Sequence, residues 1–173
     1  MKLTGRMYLG PLLSSLLLLG TACTQQPANW LPESRVSEAV LQELDAYYRD
    51  FSARDWEAFA SHFWPGANIT TASQSPGTDS VSVMAQSVAD FIAQAPQGPG
   101  SREIFEEWMI EADVKVFHNL AQAWVRYGAR FGDPGDIMEW EGIDAFTLME
   151  VGGDWKISAL VFTSAEEGPD LES

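Results

Sequence analysis

Residues 140–162, WEGIDAFTLMEVGGDWKISALVF, constrain the fold more than any other part of the chain. Apolar residues recur at every second position on both sides of Gly152-Gly153. Trp140, Gly142, Phe146 and Leu148 precede the pair, and Trp155, Ile157, Ala159 and Val161 follow it. Period two with one apolar side marks a strand with one buried face, and a Gly pair between two such runs marks a hairpin turn. Asp144 breaks the pattern, because the alternation assigns its carboxylate to the buried face. An unpartnered buried carboxylate costs several kcal/mol or shifts its pKa upward. Asp144 therefore requires a partner or a wet cavity, and either makes it a candidate site residue.

Upstream the period is that of helices. Val40, Leu41, Leu44, Tyr47, Tyr48 and Phe51 recur at spacings of three and four, an apolar stripe that Ser34 or Ser37 would cap. A second short helix over 55–63 carries Trp56, Phe59, Ala60 and Phe63 and stops at Pro65-Gly66. A short strand over 67–72 follows. After the loop SQSPGTDS, a third helix is predicted from Asp79 or Ser80 to Ala95, with Val83, Met84, Val88, Phe91 and Ile92 on its buried side. Two strands, 104–117 and 120–131, are joined at His118-Asn119. Helices first and antiparallel strands after is an α+β order.

The two ends are different in kind. Residues 1–22 carry Lys2 and Arg6, the apolar run LGPLLSSLLLLG and then small residues, the layout of a secretory signal. Cys23 is the single cysteine, so no intrachain disulfide is possible. LLLLGTAC resembles a bacterial lipoprotein signal. That resemblance implies a lipid on Cys23 as the membrane anchor, and Thr24 beside it implies sorting to the outer membrane, with the domain facing the periplasm. Residues 23–33 read as a polar linker, 34–163 as one domain, and 164–173 as an acidic tail with little to pack. A net charge of −15 repels phosphate backbones and excludes nucleic acid as a partner. The spacing of His, Cys and acids matches no metal site, and no phosphate loop or nucleophile elbow is present, so no cofactor is expected.

VLQELDAYYRDFSARDWEAFASHFWPGANI, together with the closing hairpin and its Asp-Trp-Lys-Ile, resembles the nuclear transport factor 2-like superfamily. The resemblance is to its SnoaL-like polyketide cyclase and ketosteroid-isomerase-like branches. It implies a cone of helices packed in a strongly curved antiparallel sheet, with a pocket at the wide end and, as in many members, a homodimer built across the sheet. In the ketosteroid isomerase pattern, Tyr47, eight residues before Asp55, matches the oxyanion-hole tyrosine, and Asp144 in Ile-Asp-x-Phe matches the protonated acid. The general-base position falls on Thr71, which cannot take a proton from carbon at neutral pH.

Two readings of the site follow. Tyr47 and Asp144 form a donor pair that binds a carbonyl or hydroxyl without chemistry, or His62 supplies the missing base. Each residue also has a structural alternative: Tyr47 in the core, Asp144 bonded to backbone or arginine, His62 turned to solvent. Phe63, Trp108, Trp140 and Phe146 either line a pocket for a flat apolar molecule or fill the core. Trp124, Arg126 and Arg130 share one strand face, inward or outward. The expected function is binding of a small, largely apolar ligand. The alternatives are an isomerase-, dehydratase- or cyclase-like enzyme, or a dimeric interaction module with a vestigial pocket.

Overall fold

The computed structural model describes residues 33–74 and 81–165. The leader, Cys23, the linker before Glu33 and the tail after Ala165 lie outside the described residues. No helix among the described residues is long and apolar enough to cross a membrane.

Helix α1 (Glu33–Ser52) buries the predicted stripe: Val40, Leu44, Tyr47, Tyr48 and Phe51 are all in the core. Its last turn is followed by Arg54, held at φ 57°, and by Asp55, whose carboxylate accepts from the backbone N–H of Ala58 and so caps α2 (Trp56–Ser61). A six-residue helix does not persist alone. It is held by Phe59, which is wholly buried.

Strand β1 (Phe63–Gln74) runs directly out of α2 and pairs antiparallel with β2 (Val81–Ser87). The third helix is therefore shorter than the sequence suggests. VSVMAQS is a strand, and α3 (Val88–Gln94) begins only at Ser87, whose hydroxyl accepts from the N–H of Asp90. The β-branched Val81 and Val83 favour the extended state. Pairing with β1 realises it, leaving Val83 66% and Met84 47% exposed rather than buried. Val88, Phe91 and Ile92 do pack on the core.

Strands β3 (Ile104–Phe117), β4 (Leu120–Asp133), β5 (Asp136–Val151) and β6 (Asp154–Ala165) follow as hairpins. The six strands are ordered β2-β1-β6-β5-β4-β3, and β1 pairs with β6 in parallel. The fold is α+β, with helices packed against the inner face of the curved sheet.

Two bulges decide which residues face that core. In β6, Thr147 pairs with Ala159 and Leu148 with Ile157, so Ser158 is the extra residue. Up to Ile157 the odd positions point inward. Beyond the bulge Leu160 and Phe162 do, and Ala159 and Val161 turn outward, against simple alternation. In β3 the bulge is at Ile110: Phe105, Glu107 and Met109 face inward before it, and Ala112, Val114 and Val116 after it.

Candidate functional site

Asp144 sits mid-strand in β5, only 4% exposed, flanked on the same inward face by Gly142 and Phe146. Its partner is the hydroxyl of Tyr48, which donates to Oδ2 at 2.5 Å. Tyr47, the residue indicated by spacing from Asp55, is not the donor. Adjacent helical positions point about 100° apart; the Tyr47 ring packs on Phe146, and it is the Tyr48 hydroxyl that reaches Asp144. Burial raises the Asp144 carboxyl to about 7, and the Tyr48 hydrogen bond limits the rise. Tyr48→Phe removes that donor and is expected to cost about 1–3 kcal/mol. The loss should be greater at pH 8, where the carboxylate ionises, than at pH 5; urea denaturation at both pH values measures it. Equal losses would show that the bond stabilises no charge.

Tyr47 instead lines a cavity of about 280 Å³. Phe51 joins it from α1 and Phe91 from α3. Phe105, Tyr127 and Phe131 come from β3 and β4, and Trp140, Leu160 and Phe162 from β5 and β6. Gly98 and Pro99 complete the wall. The inward turn of Leu160 and Phe162 depends on the β6 bulge. Tyr127 donates to the carbonyl of Thr163 at 3.2 Å. The indole Nε1 of Trp140, near the Tyr127 hydroxyl, is buried without a hydrogen-bond partner among the described residues.

Among the described residues, the one carboxyl in this wall is Glu107. The Ser52 hydroxyl donates to the Glu107 carbonyl at 2.9 Å and accepts from its N–H at 2.8 Å. This clamp closes the free edge of β3 onto the end of α1 and fixes the residue's position. The carboxyl itself has no hydrogen-bond or ion-pair partner among the described residues. Its remaining exposed surface opens onto the cavity and onto a groove between α1 and β3 lined by Gln42, Asp45, Arg49 and Trp108. Burial, reinforced by the charge of Asp144, pushes its pKa well above the usual carboxylate range. The Tyr47 hydroxyl is likewise without a partner among the described residues, and burial raises its pKa too. The cavity thus offers one carboxyl and one hydroxyl, both free to donate or accept, in aromatic surroundings.

The other candidates are placed elsewhere. His62 is buried, its Nδ1 2.8 Å from Glu43 and its Nε2 2.9 Å from Asp50, with both nitrogens engaged in tying α1 to the α2–β1 junction. It does not line the cavity. Phe63 and Phe146 pack edge-on against the Tyr47 ring, at 5.9 and 5.3 Å, in the core beneath the cavity. Thr71 is half-buried on β1, opposite Met84 and Phe162, and is not part of the cavity wall. Trp108 lies on the outer face, its indole over Gly128, where a Cβ would come within 2.5 Å of the ring. Trp124, Arg126 and Arg130 also face outward. Trp124 is 59% exposed, and the arginines bridge Glu141, Glu111, Glu139 and Glu106. Among the described residues no three His, Cys, Asp or Glu side chains are grouped to hold a metal.

No protein-family model matches the sequence, and no curated protein matches it. Solved structures do. A candidate dehydratase of the NTF2-like family from Streptomyces avermitilis superposes with TM-score 0.60 at 13% identity, over 78% of this chain and 99% of that one. The protein Aln2 from a Streptomyces species gives 0.59 at 16% identity, over 77% and 93%. An NTF2-like protein with a cystatin-like fold from Novosphingobium aromaticivorans gives 0.61 at 12% identity, over 79% and 86%. At such identities the likeness lies in the backbone, and it establishes that this domain has the NTF2-like, cystatin-like fold.

Proposed function

We propose that the domain binds a small, largely apolar molecule in the cone cavity, with one polar group of the ligand meeting Glu107 and Tyr47. The observation that supports this most is a carboxyl without a partner among the described residues, in the wall of an otherwise aromatic cavity. The half-buried carboxyl keeps its hydrogen-bonding capacity open to the cavity, and a polar group of a ligand could take it up. A volume near 280 Å³ lies just below the range of drug-sized ligand pockets, roughly 300 Å³ and upward, and suits a molecule of one or two rings.

Native mass spectrometry of the detergent-solubilised full chain is expected to show a bound small molecule whose occupancy falls at least tenfold in Glu107→Gln. A chain that carries no ligand, or one whose ligand is indifferent to Glu107, would overturn the reading. The same carboxyl favours a second reading, acid–base catalysis of an isomerase or dehydratase kind, because a carboxyl whose pKa is raised by burial can give a proton as well as take one. In that reading the proton carrier is Glu107 on β3, in place of Thr71 or His62. The exposed Trp124 face is where a second copy of the chain would pack.

The reading includes anchoring through a lipid on Cys23, supported by the LLLLGTAC sequence. Cys23→Ser is expected to move the protein from the membrane to the soluble fraction on cell fractionation. Retention in the membrane fraction would refute the anchor.

A further inference from the structure

Resting on ligand binding in the cavity, we propose that the ligand is a small hydrophobic amine, bound as its ammonium ion with Glu107 as counter-ion and the aromatic rings as its cage.

The Trp140 indole N–H, near the Tyr127 hydroxyl, is the one obligate donor among the polar side chains of the wall. Every other polar side chain in the cavity wall is an acceptor or can act as one: the Glu107 carboxyl and the Tyr47 and Tyr127 hydroxyls. Among the described residues no lysine, arginine or histidine lines it. Asp144 lies close enough behind the wall for its charge to act on Glu107 and on both tyrosines. The remaining surface is mostly aromatic, and ring faces attract cations and repel anions. The interior is thus electron-rich and rich in acceptors, and a cation is the ligand class that completes it. The groove that shares Glu107 leads outward past Asp45 and Glu106. Glu106 pairs with Arg130, and Arg49 on the rim is engaged by Asp50. The whole chain carries −15, which raises the local concentration of cations.

Binding has a proton signature. The groups facing Glu107 across the cavity are Tyr47 and Tyr48 from α1, Tyr127 from β4 and Asp144 from β5; on the groove side are Asp45, Glu106 and Arg49, the last paired with Asp50. In the empty cavity burial and the Asp144 charge keep the Glu107 carboxyl protonated to higher pH than usual. An entering ammonium ion favours the carboxylate, so the carboxyl proton leaves to solvent as the ion pair forms, and no covalent bond other than that O–H is made or broken. A neutral ligand leaves the proton in place.

The test is isothermal titration of the full chain at pH 7 with 2-phenylethylamine and its neutral counterpart 2-phenylethanol, in phosphate and in HEPES. The amine is expected to bind at least tenfold more tightly than the alcohol. Its apparent enthalpy should differ between the buffers as proton release requires. Glu107→Gln should abolish the preference while the alcohol still binds, which also shows that the variant is folded. If the alcohol binds as well as the amine, the cavity stands and the amine assignment falls. If the amine preference survives Glu107→Gln, the cation is held elsewhere and the proposal is overturned. If neither compound binds, the cavity reading fails as well.

Discussion

Replacing Phe59 with alanine is expected to cost about 3–5 kcal/mol, the loss seen when a fully buried aromatic ring leaves a cavity behind. The residue is 0% exposed. Its ring lies 5.0 Å from Phe51, 5.2 Å from Phe63, 5.3 Å from Tyr47 and 5.8 Å from Phe91, joining α1, α2, α3 and β1 in one aromatic cluster. α2 is six residues long and Phe59 is its one buried residue, so the ring is also the main tie holding that helix to the core. Urea denaturation should show a lower midpoint with little change in slope. Because Phe51, Tyr47 and Phe91 also line the cavity, ligand affinity should fall together with stability. A loss below about 1 kcal/mol, far under the range for such truncations, would show that the cluster collapses around the gap and that α2 is held by other contacts.

The core stripe of α1 and the run of strands from β3 to β6 were legible because both rest on local periodicity. The inward set of β5 was legible for the same reason: Gly142, Asp144, Phe146 and Leu148 are all buried. Legibility stopped at the bulges. In IFEEWMIEADVKVF the even positions carry Ile104, Trp108, Ile110, Ala112 and Val114, so uninterrupted alternation points Trp108 inward and Glu107 to solvent. The extra residue at Ile110 reverses this for the first half of the strand, bringing Glu107 to the cavity and Trp108 to the outer face. The signal was present in Phe105 and Met109, which flank Glu107 with the same parity, but nothing local distinguishes a bulge from a continuous strand. The Ser158 bulge misled in the same way at Ala159 and Val161. Tyr47 and Tyr48 are a different case. Both belong to the apolar stripe, and which hydroxyl reaches Asp144 depends on how α1 lies across the sheet, a long-range fact. VSVMAQS failed as a helix because its pairing partner, β1, decides its state.

His62→Gln is expected to cost roughly 2–4 kcal/mol at pH 6, somewhat below the 3–5 kcal/mol typical of breaking a fully buried ion pair. The discount follows from Glu43 and Asp50, which keep 22% and 17% of their side-chain surface exposed and can partly rehydrate. The cost depends on pH. Burial disfavours the imidazolium, but the two carboxylates outweigh it and hold the pKa above the ordinary 6.5. Just above pH 6.5 the folded chain keeps a proton that the unfolded chain has released, so stability falls with rising pH until the folded pKa is passed. Asp144 acts in the same direction: its carboxyl titrates near 7 when folded and near 3.8 when unfolded, so stability declines between those values, and Glu107, also raised by burial, adds to the decline. Asp50 opposes them. Burial pushes its pKa up, but hydrogen bonds from Arg49 and His62 bring it below 3.8, so its contribution is lost only in stronger acid. The wild-type domain should therefore be most stable in mild acid and weaken through neutrality. His62→Gln should flatten the part of that decline above pH 6.5, and Asp144→Asn the part below 7. Urea midpoints collected from pH 4 to 9 separate the two contributions. A wild-type stability that rises between pH 6.5 and 8 would contradict both assignments, since each requires the folded state to bind more protons than the unfolded state in that interval.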